Sequence, residues 1–238
     1  MIKPWDAGGI GLRGATAFTI FTEVDCSAPG FWERATETVN DLFTQSEQWQ
    51  VKRAFWTGQA AGQPVIYPRL AGNTQIVEAG TGVLMQPAAS VVVTGATLDV
   101  VEGIGRLEAE MADCYDGVDM LHMPVELTPA LTNANMLVRD GSCYRTPKGN
   151  LVILGAGYLG TAPDGTQPVS SVYVYATSAL MIYRSAPTVQ PRVSSFSCTE
   201  NTVKAIVERT YLIGWDCCLK AVNISLGGVP SGAAGRGE

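Results

Sequence analysis

Residues Phe31 to Gly58, FWERATETVNDLFTQSEQWQVKRAFWTG, decide the architecture of this chain. Trp32, Ala35, Val39, Leu42, Trp49 and Trp56 recur at steps of three, four and seven residues, which lines them along one stripe of a 3.6-period helix. The spacing predicts a helix over Phe31–Trp56. Thr57 and Gly58 tie it off and Pro64 follows, because glycine closes helices and proline cannot continue them. At 1.5 Å per residue it would be about 39 Å long, a strut spanning a whole domain. No candidate active site lies beside it, so the chain reads as architecture before chemistry.

Composition narrows the field further. The 238 residues are 46% hydrophobic and 16% charged, enough to bury one or two cores while leaving a neutral surface suited to contact. A formal charge of -6 and a pI near 4.9 argue against a protein that grips nucleic acid by neutralising phosphates, which requires clustered Lys and Arg. Met1 to Asp6 runs into glycines rather than an apolar core, and no apolar run reaches the roughly 18 residues of a membrane span. The expectation is a protein without a membrane segment, made in the cytosol.

Six cysteines, Cys26, Cys114, Cys143, Cys198, Cys217 and Cys218, show no C-x-x-C spacing, so free thiols are the default expectation. The vicinal pair Cys217-Cys218 suggests a metal or redox element. On a strand, however, its side chains would face opposite sides, and free cysteine packs as a small hydrophobe.

Beyond the strut, organisation comes in stretches. Residues 1–30 are glycine-rich and then alternate through Ala17, Thr19 and Phe21, an extended arm with one strand. Gln59 to Gly95 is loop with short β-prone runs at Val65–Tyr67, Gln75–Val77 and Val91–Val93. A second helix is predicted over Leu98–Tyr115, where Leu98, Val101, Ile104, Leu107, Met111 and Cys114 keep helical spacing. Asp99 and Glu102 suit its first turn and Gly117 its C-cap, while Gly103 and Gly105 weaken it. Short strands follow at Asp119–Met123, Leu151–Leu154, Val172–Ala176 and Leu180–Tyr183, with a helical turn from Pro124 through Asn133. Thr202–Leu226 is a long β-prone run, and Gly227–Glu238 has linker composition.

The sharpest motif is Gly155-Ala156-Gly157-Tyr158-Leu159-Gly160, a letter-for-letter G-x-G-x-x-G after the strand-like Leu151–Leu154. A dinucleotide site needs those glycines to open a helix, with an acid about 20 residues later. Here Pro163, Asp164, Gly165 and Pro168 follow, and Tyr175–Ala179 holds no acid. A turn is therefore expected.

Other constellations are thinner. His122, the single histidine, lies in the apolar run Met120–Met123 and reads as a satisfied, half-buried side chain rather than the base of a triad. Asp113 with Asp116, and Glu108 with Glu110, read as solvated carboxylates rather than an acid/base pair. The sequon Asn223-Ile224-Ser225 would need a secretory route that nothing else supports. No catalytic, cofactor-binding or metal residue is assigned.

The order of elements resembles the tailed-bacteriophage major capsid proteins of the Hong Kong 97 type, in an actinophage-like form. Lys52-Arg53-Ala54-Phe55-Trp56-Thr57-Gly58 and Gly62-Gln63-Pro64 look like that family's spine helix and its exit. Leu98–Tyr115 is similar to the first helix of its axial domain, and Met120–Leu127 to a strand followed by a short helix. Tyr144–Ile153 resembles the next strand, Val172–Ala176 with Leu180–Ser185 a further strand pair, and Val203–Val222, with Glu208–Asp216, the strands returning to the peripheral domain.

The resemblance covers residues 31–226 and implies an α+β fold in four parts. These are an arm with an abbreviated extended loop (1–30), a peripheral domain with the spine helix (31–97), an axial domain (98–190), and return strands with a tail (191–238). The family places an extended loop and an arm before the spine helix. Here thirty residues serve both, so either the loop shrinks to a hairpin around Gly8–Thr22 or the arm is nearly absent. No residue matches a cross-linking position.

The resemblance implies self-assembly into pentamers and hexamers of an icosahedral head around double-stranded DNA, bound without sequence specificity. Portal, scaffold or decoration proteins would be further partners, in a virion assembled in the bacterial cytoplasm. Trp5, Arg145 and Arg184 are either interface anchors or buried in the monomer. Two other classes stay open: an encapsulin-like compartment, which would share the fold, and a phage decoration or tail protein, which would also be apolar and β-rich but would lack the strut. An enzyme ranks third.

Overall fold

The computed structural model describes residues 15–26, 32–60, 65–77, 79–82, 84–86, 88–115, 117–197, 202–215 and 218–227. In chain order the elements are β1 Phe18–Cys26, α1 Trp32–Thr57, β2 Ile76–Val77, β3 Leu84–Gln86, β4 Ser90–Val91, α2 Val100–Ala112, β5 Met120–Pro124 and α3 Thr128–Asn133. Then follow β6 Val138–Asp140, β7 Cys143–Arg145, β8 Leu151–Gly155, β9 Ser171–Thr177, β10 Leu180–Arg184, β11 Thr188–Ser197, β12 Thr202–Trp215 and β13 Leu219–Ser225.

Two sheets carry the fold. In the first, the fourteen-residue β12 is the central strand: β1 runs antiparallel along one side, and β10 and β11 follow one another along the other. The second has seven strands in the order β4-β13-β9-β5-β8-β7-β6. Among the described elements the chain passes between the two sheets three times, from β1 by way of α1 to β4, from β9 to β10 and from β12 to β13. Hence Val172–Ala176 and Leu180–Tyr183, expected to pair, lie in different sheets.

The long helix forms as its sequence predicts, over Trp32–Thr57. Gly58, at φ 72°, ends it in the left-handed region that glycine adopts without strain. Its buried stripe differs from the predicted one. Ala35, Val39, Phe43, Ala54, Phe55 and Trp56 are buried, whereas Leu42 is 42% and Trp49 46% exposed. A four-residue step from Val39 selects Phe43, and Phe18 and Ile20 of β1 and Ala205 and Val207 of β12 share the resulting core. The alternation of β1 is also one residue out of phase with expectation: Phe18 and Ile20 face inward, Thr19 and Phe21 do not.

The second helix is shorter than predicted. Asp99 is its N-cap, its carboxylate accepting from the amides of Val101 and Glu102, and Asp113 closes it, so Gly117 is not the cap. Leu98 instead makes an isolated bridge to Ile224 of β13, and Val101 is exposed. Gly103 has a packing role: a Cβ there would fall 2.9 Å from Ile224 Cγ1, so the glycine lets α2 lie against β13. Ile104, Leu107 and Met111 fill a second core with Leu121, Met123, Val174 and Val222.

Cys114 and Cys218 form a disulfide between the end of α2 and the start of β13, across 104 residues of sequence, which replaces the free thiols expected there. Cys143 is free and exposed, whereas the side chains of Cys26, Cys198 and Cys217 lie outside the described residues, as do residues 8–14 of the Gly8–Thr22 segment, Trp5 and the 228–238 tail.

Candidate functional site

The long helix is fastened to both sheets at its C-terminal half. Trp56 is fully buried; its indole N–H donates to Thr161 Oγ1 at 2.8 Å, and Tyr175 Oη donates to the Thr161 carbonyl at 2.9 Å. The Trp56 ring packs edge-on against Tyr175 and tilted against Tyr158, with centroids 4.9 and 5.2 Å away. Phe55 meets His122 and Trp215 edge-on, each at 5.6 Å. Earlier in the helix, the Glu47 carboxylate accepts from the Arg209 guanidinium and the Tyr211 hydroxyl of β12. One helix thereby braces two sheets through aromatic rings and hydrogen-bonded polar tips.

His122 sits within this junction and is fully rather than half buried. Nδ1 lies 3.1 Å from Tyr158 Oη and Nε2 3.0 Å from Thr177 Oγ1, so a neutral ring satisfies both partners, one nitrogen donating and one accepting. Burial, then the nearby positive charge of Lys52, pushes its pKa down to about 3. Lys52 Nζ donates to the Leu154 carbonyl at 3.0 Å, and burial lowers its pKa as well. Burial raises the Tyr158 and Tyr175 hydroxyls above their ordinary range. An imidazole held on both nitrogens and closed off from solvent fixes packing; no molecule from solution reaches it.

The G-x-G-x-x-G segment serves the same junction. Gly155 ends β8 and the chain turns rather than opening a helix. A Cβ at Gly157 would fall on the Trp49 carbonyl oxygen and 2.9 Å from the Arg53 nitrogen of α1. Gly160, at φ 71°, faces Val172. The glycines admit a helix backbone, not a pyrophosphate.

The carboxylates of α2 separate into two kinds. Asp113 is exposed and Glu110 meets Lys220 at 3.4 Å; Asp116 lies outside the described residues. Glu108, expected to be solvated, is 8% exposed and accepts from Thr146 Oγ1 at 2.5 Å and Asn150 Nδ2 at 2.9 Å. Its helical position gave no warning, because the groups that enclose it come from a turn some forty residues later.

The surface carries uncovered apolar faces. Leu42 and Trp49, with Arg53 stacked 5.5 Å from the Trp49 ring, line a groove of about 850 Å³ between α1 and β1. A second recess of about 450 Å³ between α1, β10 and β12 is lined by Lys52, Phe55, Ile182 and Arg184. On β10, Met181, Ile182 and Tyr183 are 54–66% exposed. Arg184 is exposed, whereas Arg145 is partly covered and held by Asp140 at 2.7 Å and the Gly149 carbonyl at 2.8 Å. Asn223 of the sequon lies mid-strand in β13, its amide donating to Thr97. Among the described residues no helix is long and apolar enough to cross a membrane, and no three His, Cys, Asp or Glu side chains gather as metal ligands.

A long helix bracing two antiparallel-rich sheets, with a shorter helix packed on the larger, defines an α+β protein of the Hong Kong 97-type capsid fold. No known protein family and no curated protein matches the sequence itself. Among solved structures, the chain is similar to one titled Gordonia phage Cozz, with TM-score 0.52 and 12% identity over 89% of this chain and 71% of that one. It is equally similar to the capsid of an empty GTA particle, with TM-score 0.52 and 12% identity over 89% and 78%. A holo-SrpI encapsulin complex from Synechococcus elongatus gives TM-score 0.52 and 8% identity over 90% and 75%.

Proposed function

We propose that this chain is a major capsid protein, a non-enzymatic shell subunit that assembles into the pentamers and hexamers of an icosahedral phage head enclosing double-stranded DNA. The observation that carries the reading is the bracing of two sheets by α1 in a fold shared with the capsid of a GTA particle and with an encapsulin, combined with apolar faces exposed among the described residues of α1 and β10. Contiguous apolar surface of this kind belongs against a neighbour, and closed symmetry multiplies modest contacts into a stable wall. The four-part division at residues 30, 97 and 190 follows on this reading, with α1 as spine and α2 beside the capsomer axis. The acidic balance suits a container, which needs no grip on each phosphate. Portal, scaffold or decoration proteins would then complete the virion in the host cytoplasm.

The similarity to an encapsulin supports a second reading, a compartment around protein cargo. Expression of the chain followed by nuclease treatment and analysis of particle contents separates the two. Protected double-stranded DNA, when the chain is made with its packaging machinery, supports the head. A co-purifying cargo protein held by its terminal peptide supports the compartment, and a small soluble species at all concentrations refutes both.

A further inference from the structure

Asp119 precedes β5 and is fully buried, yet neither of its carboxylate oxygens has a hydrogen-bond partner among the described residues. An ionised carboxylate in that position is strongly disfavoured unless something positive meets it. Its surroundings are organised. The Asp119 backbone N–H donates to Asn150 Oδ1 at 3.1 Å, and Asn150 Nδ2 donates to Glu108 Oε1 at 2.9 Å. A second, nearly buried carboxylate is thereby tied through Asn150 to the Asp119 backbone, its charge acting on the Asp119 carboxyl, and the Thr146 hydroxyl at 2.5 Å steadies it further. Lys148 lies over the cluster. Its Nζ donates to the Glu108 backbone carbonyl at 3.2 Å and its charge acts on Asp119, but it closes no ion pair with either carboxylate. The side chain of Lys148 is otherwise exposed.

We propose that Asp119 and Glu108, held in place by Asn150 and Thr146, bind one hard divalent cation, Ca²⁺ or Mg²⁺. Two carboxylates match the charge of a divalent ion, whereas Lys148 offsets one of them. The available donors are all oxygens, the set that suits Ca²⁺ and Mg²⁺ rather than zinc or copper. The orphaned oxygens of Asp119 supply the unfilled coordination. An ion there would tie α2, the start of β5 and the Thr146–Asn150 turn to one point. With two carboxylates the affinity should be weak, with Kd on the order of 10⁻⁴ M.

The test is calorimetric titration of the chelator-stripped full chain with CaCl2 and, separately, MgCl2, with Tm followed in parallel. One saturable site per chain and a Tm that rises with cation concentration are expected. Asp119→Asn and Glu108→Gln should each weaken binding at least tenfold, Asp113→Asn should leave it unchanged, and Lys148→Gln should strengthen it severalfold. Asp119→Asn is isosteric and removes a buried charge, so it should fold; circular dichroism checks this, and the wild-type titration decides in any case. Absence of saturable binding by the wild-type chain up to millimolar cation overturns the proposal, as does an unchanged response in a folded Asp119→Asn. If Asp119→Asn raises Tm while wild-type Tm ignores both cations, the carboxyl holds a proton and the metal site is refuted.

Discussion

His122 makes the junction between α1 and the larger sheet sensitive to acid in a calculable way. Its ring is fully buried and its pKa falls from the ordinary 6.5 to about 3. Between those values the unfolded chain takes up a proton that the folded chain refuses, so stability is full above pH 6.5 and falls as the pH drops. The slope is about 1.4 kcal/mol per pH unit, with a ceiling of roughly 4–5 kcal/mol near pH 3. The substitution His122→Asn isolates this contribution from that of the carboxylates. At pH 8 it should cost about 1–3 kcal/mol, because Tyr158 or Thr177 is left without its ring partner. At lower pH the variant escapes the proton penalty, so its deficit should close near pH 5 and reverse below that. Urea unfolding of both proteins, monitored by tryptophan fluorescence at pH 8, 6, 5 and 4, gives the two curves. A deficit that stays constant across that range, or widens toward acid, would refute the claim that the folded state holds a neutral, enclosed imidazole.

Further outcomes follow from the packing. Gly157→Ala should destabilise by about 1–3 kcal/mol in thermal unfolding, because its methyl group meets the backbone of α1 at Trp49 and Arg53. Gly105→Ala should instead gain up to about 1 kcal/mol, since it stands in a helix facing open space. Reducing the Cys114–Cys218 bridge, or Cys114→Ser, should lower stability by about 3–5 kcal/mol, given the long loop it closes; denaturation with and without reductant measures it. Ile182→Glu and Trp49→Glu, at exposed positions, should leave monomer Tm nearly unchanged while abolishing large assemblies in sedimentation velocity. Intact assemblies in both would mean that these faces are not interfaces.

The sequence showed the periodic elements and missed what depends on distant partners. A 26-residue helix is visible in its own spacing, and α2 in its spacing and its Asp99 cap. Which face of α1 is buried was not visible, because Leu42 and Phe43 are equally apolar and the choice is made by β1 and β12. Residue content excluded a dinucleotide reading for Gly155–Gly160, but the positive role of those glycines depends on α1, more than a hundred residues earlier in the chain. Glu108 read as a solvated acid, and Asp119 only as the start of a strand, because nothing local announces that a turn at Thr146–Asn150 will close over them. Cys114 and Cys218 likewise meet only because β13 lies against α2.

Electron microscopy of the purified chain tests the central claim most directly, because a subunit built around one bracing helix for a curved wall must form that wall. Closed particles of uniform diameter are predicted, their reconstructions resolving five- and six-fold capsomers with α1 as a continuous rod in each subunit. Dispersed single molecules under every assembly condition, with the α1 and β10 faces left in water, would contradict it.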